Sequence, residues 1–231
     1  MRWILLPGFD GSGLLFDPFL AAIPSNVVPQ VVTYPPKVPH SYDSLSSRVA
    51  SILPRDIPYV LIAESFSGPL AIRLAATVSP PPRAVILCAS FAVFPAGRLA
   101  ARLLALSKGF LFRFQPPRWA VKHFLLGWDA PDALIRHFYA AIASVSKEVL
   151  QNRLAEILTV DARAHLASLS IPTLYLRGSR DRLVGEQSLR IITRVQPRVR
   201  VETLEAPHLL LQRQPHEAVA AIERFIREHP R

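Results

Sequence analysis

Tyr59-Val-Leu-Ile-Ala-Glu-Ser-Phe-Ser-Gly-Pro-Leu-Ala-Ile-Arg-Leu-Ala-Ala76 joins a short apolar run to a helical pattern through a serine, and the rest of the chain is placed around it. Tyr59 to Ala63 has the length and composition of a strand, whereas Leu70, Leu74 and Val78 recur at helical spacing. The stretch therefore predicts strand, sharp turn and helix. A serine at such a turn is held in a strained backbone conformation that pushes its hydroxyl clear of the sheet, and its neighbours two before and two after must be small. Here these are Ala63 and Ser67, where the usual pattern has glycine. Ser67 as the exposed serine would put the bulkier Pro69 at the second flank, so Ser65 is preferred. Pro69 suits the first turn of a helix, where its missing N–H costs nothing. The competing reading of Ser65 is an ordinary helix cap.

Working outward, Trp3 to Leu6 reads as a first strand, Val27 to Thr33 as a second, and Ala84 to Ala89 as the strand after the Ser65 unit. Helices are expected over Leu14 to Ile23 and Ser44 to Leu53, with the proline-rich Tyr34 to His40 as a rigid connection. The loop Gly8-Phe-Asp-Gly-Ser-Gly13 has the wrong glycine spacing for a dinucleotide fingerprint, and no acid follows at the ribose-binding distance. From about Phe91 to Ser168 only helical stretches are found, among them 97–106 and 131–143. Strands resume at Thr173 to Arg177 and Val199 to Leu204, with helices over Glu186 to Arg194 and Pro215 to Glu228. Strands alternating with helices predict an α/β fold, a mostly parallel six-stranded sheet covered on both faces. Residues 1–90 and 169–231 form its core, and residues 91–168 a helical cap inserted after the fourth strand.

A serine nucleophile needs a base, and the base needs a carboxylate to orient it. Leu174-Tyr-Leu-Arg-Gly-Ser-Arg-Asp181 ends a strand with a glycine turn and an aspartate, and Val201-Glu-Thr-Leu-Glu-Ala-Pro-His208 ends the last strand with a histidine. Residues beyond the carboxyl ends of parallel strands face one crevice. Of the seven histidines only His208 occupies such a position. The candidate catalytic set is thus Ser65, Asp181 and His208.

In that order, and with these loops, the chain resembles the α/β-hydrolases. Gly178-Ser-Arg-Asp181 matches the family's acid loop, Ala206-Pro-His208 its histidine loop, and Leu5-Leu-Pro-Gly-Phe-Asp10 its first loop, with Pro7 where many members have histidine. The resemblance implies spatial strand order 2-1-3-4-5-6 and an oxyanion hole from the backbone N–H groups of Phe9 and Phe66. It also implies hydrolysis of an ester or thioester through an acyl-enzyme, or acyl transfer. No histidine and acid cluster has metal-ligand spacing and the chemistry needs no cofactor, so neither metal nor cofactor is expected. Pimeloyl-acyl-carrier-protein methyl ester esterases are among the small members it looks like. A non-catalytic scaffold of the same fold is the competing class.

At 231 residues with 50% hydrophobic content the chain can bury a large core. Its one cysteine, Cys88, lies inside a strand and reads as an inert buried thiol. Neither a signal peptide nor a run long enough to cross a membrane is seen, so a soluble cytoplasmic protein is expected. The net charge of +10 and pI of about 10.6 suggest an anionic partner. No nucleic-acid motif accompanies the charge. Between Glu64 and Asp129 there is no acid, whereas Arg98, Arg102, Lys108, Arg113, Arg118 and Lys122 are present. That basic cap suits an acidic protein, an acyl carrier or an anionic surface. Its aromatic residues Phe91, Phe94, Phe110, Trp119 and Trp128 are candidates for an acyl pocket, although ordinary packing accounts for them as well.

Overall fold

A computed structural model describes residues 1–94 and 115–230. The helix expected over 97–106 lies outside the described residues, as do Arg98, Arg102, Lys108, Phe110 and Arg113. Six strands, β1 (Arg2–Leu6), β2 (Val28–Val31), β3 (Tyr59–Glu64), β4 (Ala84–Cys88), β5 (Thr173–Gly178) and β6 (Arg200–Leu204), form one sheet in the order β2-β1-β3-β4-β5-β6. Every neighbouring pair is parallel, so the carboxyl ends of β3, β5 and β6 lie along one edge, as expected. Pro29 sits on the edge strand β2, where its missing N–H breaks no ladder on the outer side.

The described helices are α1 (Asp17–Ala22), α2 (Tyr42–Ala50), α3 (Gly68–Thr77), α4 (Arg118–Val121), α5 (Asp132–Ala143), α6 (Lys147–Thr159), α7 (Arg163–Ser168), α8 (Glu186–Val195), α9 (Leu210–Arg213) and α10 (Pro215–Glu228). All six residues of β3 are buried, because a parallel sheet carries helices on both faces. The pleat divides its side chains. Tyr59, Leu61 and Ala63 pack with Leu45 and Val49 of α2, Leu70 and Leu74 of α3, Leu166 and Ile192. Val60 and Ile62 pack on the other side with Phe19 of α1, Leu210 of α9 and Ile222 and Phe225 of α10. Each fully buried Val, Leu, Ile or Phe among them contributes roughly 1.5–3 kcal/mol of transfer free energy.

Element ends differ from expectation where capping decides them. The second helix begins at Tyr42 because the Ser41 hydroxyl accepts the Ser44 N–H at 3.2 Å. The first splits into a 3-10 turn over Leu14–Phe16 and a short α1 with Pro18 in its first turn. The second strand is shorter than Val27 to Thr33, being an edge with a single neighbour.

The inserted helices carry a separate apolar cluster. Val121, Leu126, Leu134, Ile135 and Phe138 close over Leu15 and Leu209 of the core. The chain returns to the core before residue 168. Ala162 N–H donates to Ala92 O at 2.8 Å, and Leu166 of α7 lies in the sheet core with Leu70 and Ile192. No described helix is long and apolar enough to cross a membrane.

Candidate active site

β3 ends at Glu64, and Ser65 then takes φ +48°, a left-handed conformation that costs a non-glycine residue on the order of 1–3 kcal/mol. The fold holds it there from several sides. Ser90 Oγ donates to Ser65 O at 2.5 Å, and Tyr42 Oη donates to Phe66 O at 2.7 Å. A Cβ on Gly68 would overlap the Ser90 hydroxyl and lie 2.8 Å from Ser90 Cβ. The close approach that needs glycine is therefore at position 68, so Ser67 is tolerated at the flank. The Ser67 hydroxyl is fully buried and shared between Tyr34 Oη, at 2.6 Å, and Pro7 O. It is a structural tie, away from the site.

Ser65 meets the two other sequence-predicted residues. His208 Nδ1 lies 2.9 Å from Asp181 Oδ2 and its Nε2 3.0 Å from Ser65 Oγ. With a carboxylate as its partner, Nδ1 carries the proton, leaving the Nε2 lone pair to accept from the Ser65 hydroxyl. Asp181 is aimed by its second oxygen, which accepts the N–H groups of Leu183 (2.9 Å) and Val184 (3.0 Å). The imidazole and carboxylate are nearly dry, 2% and 4% exposed, which strengthens their attraction.

The two loops that carry them are pressed together at Gly178. A Cβ there would stand 2.5 Å from Pro207 O and nearer still to Ala206 O, both main-chain atoms next to His208. Gly178→Ala is expected to cost about 2 kcal/mol in an unfolding titration, as overpacking does, because backbone cannot retract like a side chain. An unchanged denaturation midpoint would mean that this contact is slack.

The Ser65–His208 pair opens on a cavity of about 880 Å³ between sheet edge and cap. Its walls are mostly apolar, with Leu15, Phe124, Leu125, Phe138, Ile142 and Leu209 prominent, and Phe9 also lines it. Four pocket candidates are elsewhere. Phe91 is buried in the sheet core, Phe94 does not line the cavity, and Trp119 and Trp128 are 59% and 58% exposed. Phe110 lies outside the described residues. Between the two exposed tryptophans a π-helical turn over Lys122–Leu126, whose wider spacing breaks the 3.6-residue period, places Phe124 and Leu125 in the cavity wall instead. Phe138 was legible from the stripe Leu134, Ile135, Phe138, Ala141 along α5. Of the described basic cap residues, Arg118 pairs with Asp132 and Lys122 Nζ donates to Trp128 O at 3.0 Å.

Two charged residues of the site region were missed in the sequence. Glu64, 2% exposed, lines the cavity beside Ser65, and its Oε1 accepts no hydrogen bond among the described residues. Burial pushes its carboxyl up to about 7. The Gln212 carboxamide and His208 draw it partly back, although Gln212 makes no aligned hydrogen bond among the described residues, and Asp10 pushes it further up. Its signal was its place, one residue before the serine. The second is Arg153 of α6, 3% exposed beneath the first loop. Cys88, at the end of β4, is fully buried, and desolvation followed by the charge of Glu64 pushes its thiol well up, which leaves it inert.

The sequence model of the alpha/beta hydrolase family matches residues 3–222, and the chain belongs to that family. No curated protein sequence matches it. Among solved structures it is similar to a hydrolase from Oleispira antarctica, with 15% identity and TM-score 0.82, over 98% of this chain and 90% of that one. MenH from S. aureus has 16% identity and TM-score 0.81, over 99% and 94% of the two chains. An esterase from Exiguobacterium antarcticum has 12% identity and TM-score 0.81, over 98% and 92%. At such identities these likenesses speak for the fold.

Proposed function

We propose that this protein is a serine hydrolase of carboxylic esters or thioesters with an apolar acyl group. The observation that carries this reading is the hydrogen-bonded series Asp181, His208, Ser65 opening on an apolar cavity. Ser65 Oγ attacks the acyl carbonyl as its proton passes to His208 Nε2, and Asp181 stabilises the imidazolium. The backbone N–H groups of Phe9 and Phe66 receive the oxyanion. His208 then gives its proton to the leaving alcohol or thiol as the C–O or C–S bond breaks. A water attacks the acyl-enzyme by the same route in reverse and frees the acid and Ser65. A carrier-bound acyl ester fits as substrate if the basic cap docks an acidic protein, and Lys147 on the cavity wall adds a cation there.

The test is a chain-length series of p-nitrophenyl esters. Burying a methylene is worth about 0.8 kcal/mol, so kcat/KM should rise by up to about fourfold for each added carbon until the chain outgrows the cavity. A profile with no rise beyond acetyl would remove the apolar cavity as the acyl site. No turnover of any member would favour the non-catalytic scaffold.

A further inference from the structure

Arg153 is a cation with its guanidinium buried and, among the described residues, no carboxylate within ion-pair distance. Leaving a charge so placed is costly unless dipoles replace the lost water. Here they are main-chain carbonyls. Nη1 donates to Phe9 O at 2.9 Å and to Asp10 O at 2.5 Å, and Nη2 reaches Pro35 O at 3.4 Å. The same guanidinium lies over the rings of Tyr34 and Phe66, 5.7 and 6.0 Å from their centroids. Gly11, at φ +65°, makes the space, since a Cβ there would stand 2.7 Å from both terminal nitrogens. Burial pulls the guanidinium down from the ordinary arginine range, and Asp10 opposes this.

These contacts fall on the two residues whose N–H groups would receive the oxyanion. Phe9 is held through its carbonyl and Phe66 through its ring, and the two rings meet edge to face at 6.5 Å. Tyr34 extends the tie, because its hydroxyl meets Ser67 Oγ, which donates to Pro7 O in the same first loop. The helix that carries Arg153 is itself anchored. Asn152 Nδ2 donates to His40 O and Glu156 accepts Tyr42 N–H, both at 2.8 Å.

We infer that Arg153 is the positioning residue of the oxyanion hole, a brace from cap helix α6 that fixes the first loop against the elbow without touching substrate. The inference rests on the hydrolase reading above. Lysine cannot replace it fully, since a point charge has neither the fork for two carbonyls nor the plane that stacks on the rings. A misplacement near 1 Å in such a site costs about 10²-fold in rate.

The experiment compares wild type, Arg153→Gln and Arg153→Lys on a p-nitrophenyl ester, and measures binding of an alkyl trifluoromethyl ketone, which forms a tetrahedral oxyanion on the serine, and of the product carboxylate. For Arg153→Gln the expected result is a kcat about 100-fold lower with KM within about twofold. Affinity for the ketone should fall in parallel and that for the carboxylate stay unchanged. Arg153→Lys should lose about 10-fold in kcat and in ketone affinity. A purely structural role would instead lower both affinities together or leave kcat per folded molecule intact, and either result overturns the inference. Should Arg153→Gln not fold, Arg153→Lys keeps the buried charge, and full kcat and ketone affinity in it overturn the inference. Wild type that neither turns over an ester nor binds the ketone at Ser65 sinks the hydrolase reading as well, whereas an active wild type with unaffected Arg153 variants sinks this inference alone.

Discussion

Ser65→Ala is expected to lower ester turnover on the order of 10⁴-fold or more while the protein still unfolds at nearly its wild-type temperature. The hydroxyl removed is the nucleophile, and no described hydrogen bond of the turn depends on it other than that to His208. His208→Ala should cost about as much, because residues that act as a unit fail together, and the double variant should be little worse than either. Ser67→Ala separates chemistry from scaffolding. Its hydroxyl joins Tyr34 to Pro7 O in a fully buried place, so its loss should lower stability by roughly 1–3 kcal/mol while Ser65, His208 and Asp181 keep their mutual geometry and turnover persists. Initial rates on a p-nitrophenyl ester, read beside thermal melts, distinguish the three. Retention of turnover in Ser65→Ala together with its loss in Ser67→Ala would move the nucleophile to position 67.

What was legible in the sequence was what local chemistry dictates. Tyr59 to Ala63 reads as a buried strand because every side chain faces one of two covered faces, and Asp181 and His208 could be placed because each follows a strand end. Phe91 could not be told from a pocket residue, since a core and a pocket ask for the same side chain. Aromatic character alone also points to Trp119 and Trp128, yet both stand exposed while the π turn between them carries Phe124 to the cavity. Arg153 was invisible for a different reason. Its acceptors are the carbonyls of residues 9, 10 and 35, more than a hundred positions away, and carbonyls carry no residue-type signal. Glu64 was in plain view, yet a carboxyl at the end of an apolar strand signals nothing until its burial is known.

That burial makes stability depend on pH. The Glu64 carboxyl has an ordinary value of 4.5 and is pushed up to about 7 in the folded protein. Between those values the native state keeps a proton that the unfolded chain has lost, so stability falls as pH rises from about 4.5 and levels off above about 7. At 1.36 kcal/mol per pKa unit the full loss is on the order of 3 kcal/mol. His208, Asp10 and the Cys88 thiol face this carboxyl, and Gln212 stands beside it as a neutral dipole. Their contributions are shared by wild type and Glu64→Gln, so comparison of the two at each pH isolates position 64. The carboxamide has the shape of the protonated acid, so the two proteins should melt nearly together at pH 5. At pH 8 Glu64→Gln should melt higher by roughly 6–12 °C, given ~2–4 °C per kcal/mol for a chain of this size. A difference that stays constant from pH 5 to pH 8 would show that Glu64 is ionised throughout.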